Sequence, residues 1–286
     1  MGKEYDDYLK FIDDALELAK SIPKYFSKFS NRIYCNHQKL VIYVLMQKLK
    51  TTTRGIVSLL RASPELCLRI GLVRVPVHTT LVRFAKKIGK HLPKMLGIRQ
   101  ADTVAIDATG FELETKSYYY RTVWNSDKKQ KTKRFMKLSL AIDADTHQAM
   151  TYKIRKSCAH DSRDFKILLK NLKCNHVVAD KGYDSRELRR FVVKELTARP
   201  HIPYRKFSCL PKRGRRILPP DPLIYHKRSN VENVFFCIKQ KYGSVLRNRT
   251  IATEKVELIS KLIAHNVDRL QKIALIALRI APALIY

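Results

Sequence analysis

Along the first hundred residues apolar side chains recur at helical spacing. Tyr8, Phe11, Ile12, Ala15 and Leu16 fall on one face of an opening amphipathic helix, in a stretch that also gathers Glu4, Asp6, Asp7, Asp13, Asp14 and Glu17. Leu40, Val41, Val44, Leu45 and Leu49 form a second stripe. Thr52 or Thr53 can cap a third helix packed through Ile56, Leu59 and Leu60, and Ser63-Pro64 should stop it. After a turn at Gly71, a further helix carries Val77, Leu81, Phe84 and Ile88 inward and His78, Thr79, Arg83, Lys86 and Lys87 outward.

From about residue 100 the period changes to that of strands. Val104 and Ile106 alternate with Ala105 and Asp107, and Met136–Ile142 followed by Ala149–Ile154 reads as a hairpin. Phe165, Leu168, Leu169 and Leu172 mark a helix, Val177–Asp180 a buried strand, Glu187–Leu196 a helix and Arg199–Tyr204 a strand. Strands alternating with helices predict an α/β sheet covered on its faces. A long amphipathic helix follows through Val256, Ile259, Leu262, Ile263, Val267, Leu270 and Ile273. The expected division is a helical domain over 1–98 and an α/β domain over 99–286 that keeps the C-terminal helix.

Charge narrows the partner. Against 25 Asp and Glu stand 57 Lys and Arg, a formal charge of +32 in 286 residues. A surplus of that sign and size releases counterions from a phosphate backbone, so the expected partner is nucleic acid. A membrane is not expected: no apolar run approaches the ~20 residues that span a bilayer. The tail Ala274–Tyr286, interrupted by Arg279 and Pro282, reads as a docking segment. Neither an N-terminal signal peptide nor a close cysteine pair is visible among the six cysteines, which fits a reducing, cytoplasmic and nucleoid-associated setting.

On the 77–88 segment, His78, Thr79, Arg83, Lys86 and Lys87 are the residue types that touch phosphates and base edges, as in a helix-turn-helix reader. A helical bundle with a solvated basic face fits the same residues equally well. Two basic clusters, Lys128–Arg134 and Lys212–Arg216, stand in turn-like surroundings and are expected to project from the sheet. Trp124, the only tryptophan, could stack on an unpaired base, although core packing is the commoner use.

Three acids stand in ordered, apolar contexts: Asp107 in Val104-Ala-Ile-Asp-Ala-Thr-Gly, Asp180 in Val177-Val-Ala-Asp-Lys-Gly-Tyr-Asp, and Glu232 in Tyr225-His-Lys-Arg-Ser-Asn-Val-Glu-Asn-Val-Phe-Phe-Cys-Ile-Lys. The last stretch fits Tyr-x2-Arg-x3-Glu-x6-Lys without gaps. Over roughly residues 100 to 250 the chain resembles the DDE transposases of bacterial and archaeal insertion sequences, in which this signature surrounds the third catalytic acid.

The resemblance implies a ribonuclease H-like catalytic domain with a mixed sheet flanked by helices, beside an N-terminal all-α helical domain. It also implies that Asp107, Asp180 and Glu232 are catalytic and ligate magnesium or manganese, as two ions ~4 Å apart that serve the nucleophile and the leaving oxygen. Tyr225, Arg228 and Lys239 would hold DNA beside them. The activity implied is binding of element terminal repeats in double-stranded DNA, metal-dependent cleavage and strand transfer into target DNA, by a homo-oligomer in the synaptic complex.

Each acid also has a plainer reading. Asp107 could be exposed on a half-solvated strand, and Asp180 could start the turn Asp-Lys-Gly-Tyr. Ser229-x-x-Glu232 is a capping box, and Asp184-x-x-Glu187 is another, so capping is the expected task of Asp184. Asp161 or Ser162 could cap the next helix, and His160-Asp161 stays outside the catalytic set. A DNA-binding remnant acting as repressor, or a nuclease without strand transfer, would share the fold.

Overall fold

The computed structural model describes residues 8–114, 135–156, 159–205 and 219–280. Trp124, the Lys128–Arg134 cluster, the Lys212–Arg216 cluster and the last residues of the apolar tail lie outside these. The chain divides into two compact units, one made of residues 1–97 and 238–286 and the other of residues 98–237.

The first unit is helical. Helix α1 (Tyr8–Ala19) buries Phe11, Ile12, Ala15 and Ala19. Helix α2 (Asn36–Lys48) starts with Cys35 as its cap, whose sulfur accepts from the Gln38 amide, and buries nearly its whole length. Thr52 caps α3 (Thr53–Ala62), its hydroxyl accepting from the Gly55 amide at 3.1 Å. Pro64 does stop α3, but as the first residue of a new short helix, α4 (Pro64–Ile70), because a proline at N1 gives up only an amide that has no helical partner anyway. Gly71, at φ 73°, ends α4 in the left-handed conformation that glycine adopts without strain. Helix α5 (His78–Ile88) buries Leu81, Phe84, Ala85 and Ile88.

The C-terminal helix, labelled α10 below (Ile251–Ile280), belongs to this unit and packs against α1, α2 and α5. Val256, Leu258, Ile259, Leu262, Ile263, Ala264 and Val267 are buried on it. Burial all round demands partners for its polar residues. Asp268 accepts from Lys48 Nζ at 2.7 Å and Tyr242 Oη at 2.6 Å, Ser260 donates to the Val256 carbonyl, and Lys261 Nζ donates to the carbonyls of Gly243 and Val245 at 2.8 and 3.0 Å. Glu257 takes the amides of Arg247 and Asn248, so a loop leading into the helix is tied down by the helix itself. Among the described residues no helix is long and apolar enough to cross a membrane.

The second unit is a mixed α/β sheet, with strands β1 (Thr103–Leu113), β2 (Phe135–Asp143), β3 (Ala149–Arg155), β4 (His176–Ala179) and β5 (Arg199–His201) in the order β3-β2-β1-β4-β5. β1 is antiparallel to β2 and parallel to β4, and β4 is parallel to β5. This is the ribonuclease H-like arrangement. Helices α6 (Ser162–Leu169) and α7 (Arg186–Glu195) cover a face: Phe165, Leu168 and Leu169, with Leu188 and Val192, share one core with Val104, Ile106, Val177 and Ala179. A five-residue helix, α8 (Pro222–His226), leads into α9 (Ser229–Tyr242).

Candidate active site

The register of the two parallel strands brings the aspartates together. Ile106 pairs with Ala179, so Asp107 and Asp180 are each the next residue along neighbouring strands. In-register side chains of adjacent strands point to the same face. Asp107 is half-buried within β1, and its Oδ1 accepts from the Ala108 amide at 2.8 Å. Asp180 follows the last residue of β4 and caps a turn of 3-10 helix over Lys181–Tyr183, its Oδ1 accepting from the Gly182 amide at 2.7 Å. The turn role foreseen for Asp180 is therefore present. It fixes the carboxylate at the C-terminal edge of the sheet, where open α/β sheets place their sites.

Glu232 stands in the first turn of α9, its side chain 53% exposed, and its carboxylate meets the Arg228 guanidinium at 2.7 Å. The capping box is not formed. Ser229 Oγ donates to the His226 carbonyl at 3.0 Å instead, leaving Glu232 to the arginine one turn back. Tyr225 lies on α8, and its carbonyl accepts from the Arg228 amide at 2.9 Å. Lys239 lies seven positions beyond Glu232 on α9, where side chains return to nearly the same face.

Electrostatics link the acids. Burial pushes the Asp107 carboxyl up to about 6, and the negative charges of Asp180 and Glu232 push in the same direction, against the Ala108 amide and Arg228. Like charges so arranged call for a cation, and a carboxylate-only donor set suits a hard divalent ion. Among the described residues no three His, Cys, Asp or Glu side chains already converge as a formed metal centre. Arg228 holds Glu232 as the local counter-charge in this arrangement.

Pattern alone misses several neighbours. Tyr183 is buried with no hydrogen-bond partner for its hydroxyl, and burial followed by the charges of Asp161, Asp107, Asp180 and Asp164 drives its pKa upward. Asp164 is fully buried on α6, accepting from Ser139 Oγ at 2.8 Å and Arg155 Nε at 2.7 Å. Asp161 pairs with Lys137 and makes no capping bond, and Ser162 Oγ bonds His160 Nδ1 at 2.7 Å. Asp184 does not cap α7 either: it accepts from Arg189 Nη2 and the Arg205 amide, both at 2.9 Å, because a buried guanidinium competes better for it than an amide that water can reach. On α5, Thr79, Arg83, Lys86 and Lys87 are exposed and His78 is half-buried.

An α/β sheet with two aspartates side by side at its C-terminal edge, and a glutamate whose charge reaches one of them, offers the oxygen ligands that a hard divalent cation takes. The chain belongs to the transposase DDE domain family, whose model matches residues 98–267. Among solved structures, the cryo-EM structure of the piggyBac transposase synaptic complex with hairpin DNA is similar over 93% of this chain and 74% of that one, with a TM-score of 0.49 and 11% sequence identity. No curated protein matches the chain in sequence.

Proposed function

We propose that this protein is an insertion-sequence transposase that binds the ends of its element and cuts and joins DNA with Asp107, Asp180 and Glu232. The observation that carries this reading is the strand register that sets Asp107 and Asp180 side by side at the edge of the sheet, with Glu232 near enough for its charge to act on Asp107, in a chain of the transposase DDE domain family. They would hold magnesium or manganese, which, when bound, neutralises charge at phosphorus and lowers the pKa of a nucleophilic oxygen. The protein's own groups bind and orient. Arg228 and Lys239 hold phosphates flanking the scissile bond, Tyr225 positions Arg228, and Asp180, fixed through Gly182, keeps its carboxylate aimed beside Asp107. The helical unit recognises duplex ends through His78, Thr79, Arg83, Lys86 and Lys87, and synapsis joins two or more protomers.

The test incubates purified protein and magnesium with a labelled element end and a plasmid target. Wild type should cleave and join. Asp107→Ala and Glu232→Ala should lose both reactions by more than the ~10–100-fold that an outer-shell partner of a metal costs, with end binding retained. Cleavage without joining would instead mean a nuclease, and binding that neither substitution alters, without cleavage by wild type, a DNA-binding remnant.

A further inference from the structure

Between α1 and α2, a loop is organised by its own short polar side chains. The Ser27 amide donates to Ser30 Oγ at 3.1 Å, the Phe29 amide to Ser27 Oγ at 3.2 Å, and the Ile33 amide to Asn31 Oδ1 at 3.2 Å. These bonds hold the backbone in a shape that leaves Phe29 86% exposed. A large ring so placed gains nothing from burial within the helical unit.

Phe29 stands at a cleft of about 580 Å³ in this unit. Phe26 and Tyr34 line it from the same loop, Lys39 from α2, and Arg83 and Lys87 from α5. None of its described lining residues is acidic, while Ser27, Ser30, Asn31 and Thr80 add hydrogen-bonding groups. Phe26 stacks on Phe84 with centroids 6.0 Å apart, and Lys39 Nζ lies 5.9 and 5.3 Å from those two rings. Burial holds the Lys39 ammonium below the usual lysine range, with Lys87 adding to the effect and Cys35 opposing it. An anion entering the cleft would relieve both pressures. Aromatic faces interleaved with cations are the means by which proteins hold unpaired bases and their phosphates, since every base offers a π-face.

We propose that this cleft takes one unpaired nucleotide of a DNA strand, its base stacked on Phe29 beside Tyr34 and its flanking phosphates on Lys39, Arg83 and Lys87. The inference rests on DNA being the partner, but the site lies apart in sequence from the carboxylates and needs no metal. It gives Arg83 and Lys87 a narrower task than duplex reading alone. A peptide with acidic and apolar side chains would meet the same cations, but the polar groups around the rim and the exposed Phe29 ring, with Lys28 Nζ 5.1 Å from its centroid, favour a flat heterocycle with donors and acceptors at its edge.

The experiment uses the full chain in EDTA and a short oligothymidylate carrying one 2-aminopurine, read by fluorescence and anisotropy, beside the same strand in a blunt duplex. The single strand should bind with quenching of the 2-aminopurine. Phe29→Ala should abolish the quenching and weaken single-strand binding roughly 5- to 150-fold, the worth of one stacked base, with duplex affinity unchanged. Phe29→Trp should restore both. Arg83→Gln and Lys87→Gln should each lower the salt slope of single-strand binding by about 0.7. Duplex binding with no base quenching, or a Phe29→Ala protein that quenches like wild type, overturns this site and leaves the transposase reading standing. Binding to neither DNA form overturns both, and loss of cleavage in the magnesium assay with quenching intact overturns only the catalytic reading.

Discussion

A Cβ on Gly182 would sit 2.8 Å from Asp180 Oδ1, closer than a real side chain comes, and a tight 3.3 Å from Oδ2. The same glycine's amide is the donor that fixes this carboxylate, so Gly182→Ala would drive the carboxylate off its own anchor. The expected result is a fall in cleavage of about 10-fold or more with an unfolding midpoint close to wild type, since the residue touches the site and not the core. A side-by-side measurement of rate and thermal midpoint checks it. His201 makes the second residue-scale case. It is fully buried, its Nδ1 accepting from the Asp221 amide at 3.1 Å and its Nε2 lying 3.1 Å from His176 Nδ1. Burial, then the nearby charges of His176 and Arg199, lower its pKa from the ordinary 6.5 to about 4, with Asp221 opposing. Below its ordinary value the unfolded chain takes up the proton first. Stability is therefore full above pH 6.5 and is lost as pH falls towards 4, by about 3 kcal/mol. In denaturant titrations across that range His201→Gln should flatten the slope.

Among the elements, α10 is held most firmly by a charge. The side chains of Asp268 and Lys48 are 6% and 7% exposed, and their contact joins α10 to α2 while Tyr242 and Lys241 join α9 to the same carboxylate. Removing the charge strands a buried ammonium. Asp268→Asn should cost about 3 kcal/mol in chemical denaturation, whereas replacing both partners with Leu and Met should recover much of it. If the two variants proved equally unstable, the pair would not be the cause. This junction also shows what pattern can and cannot reveal. The apolar periods of α1, α2, α5 and α10 are visible because each helix buries one stripe or more, and the strands of the hairpin are visible because apolar residues recur along them around Lys137 and Ser139 and around Thr151 and Lys153. That α10 packs with the N-terminal helices is not visible, since nothing in a helix's own period names its partner. Helix α8 is five residues long and carries no full turn of apolar spacing, and α4 is hidden because proline signals the end of one helix and the beginning of another alike. At the site, Asp107, Asp180 and Glu232 stand out by their apolar surroundings and the spacing around Glu232. Their adjacency depends on the Ile106–Ala179 register, a pairing between residues more than seventy positions apart, and the Arg228 contact depends on how α8 turns into α9.

Across the whole molecule a formal charge of +32 acts at long range before any contact forms. Affinity for duplex DNA should fall steeply with salt, the logarithmic slope being about 0.9 for each phosphate neutralised. Removing Lys86 and Lys87 together, as glutamines, should reduce that slope by about 2 if both reach phosphates on the duplex. Filter binding over a salt series reads it directly, and an unchanged slope would show that α5 faces away from the DNA.

The helical unit is assembled from the two ends of the described chain, with the sheet unit encoded between them. During translation, α1, α2 and α5 leave the ribosome with the surface that α10 covers still bare, and the residues of β1 to β5 are all synthesised before α10 exists. The aspartates can thus be set in their strands while the helices beside them in the gene still wait for their last neighbour. A message cut short before residue 251 would yield a sheet domain with its acids and a helical domain that lacks the helix covering α1, α2 and α5.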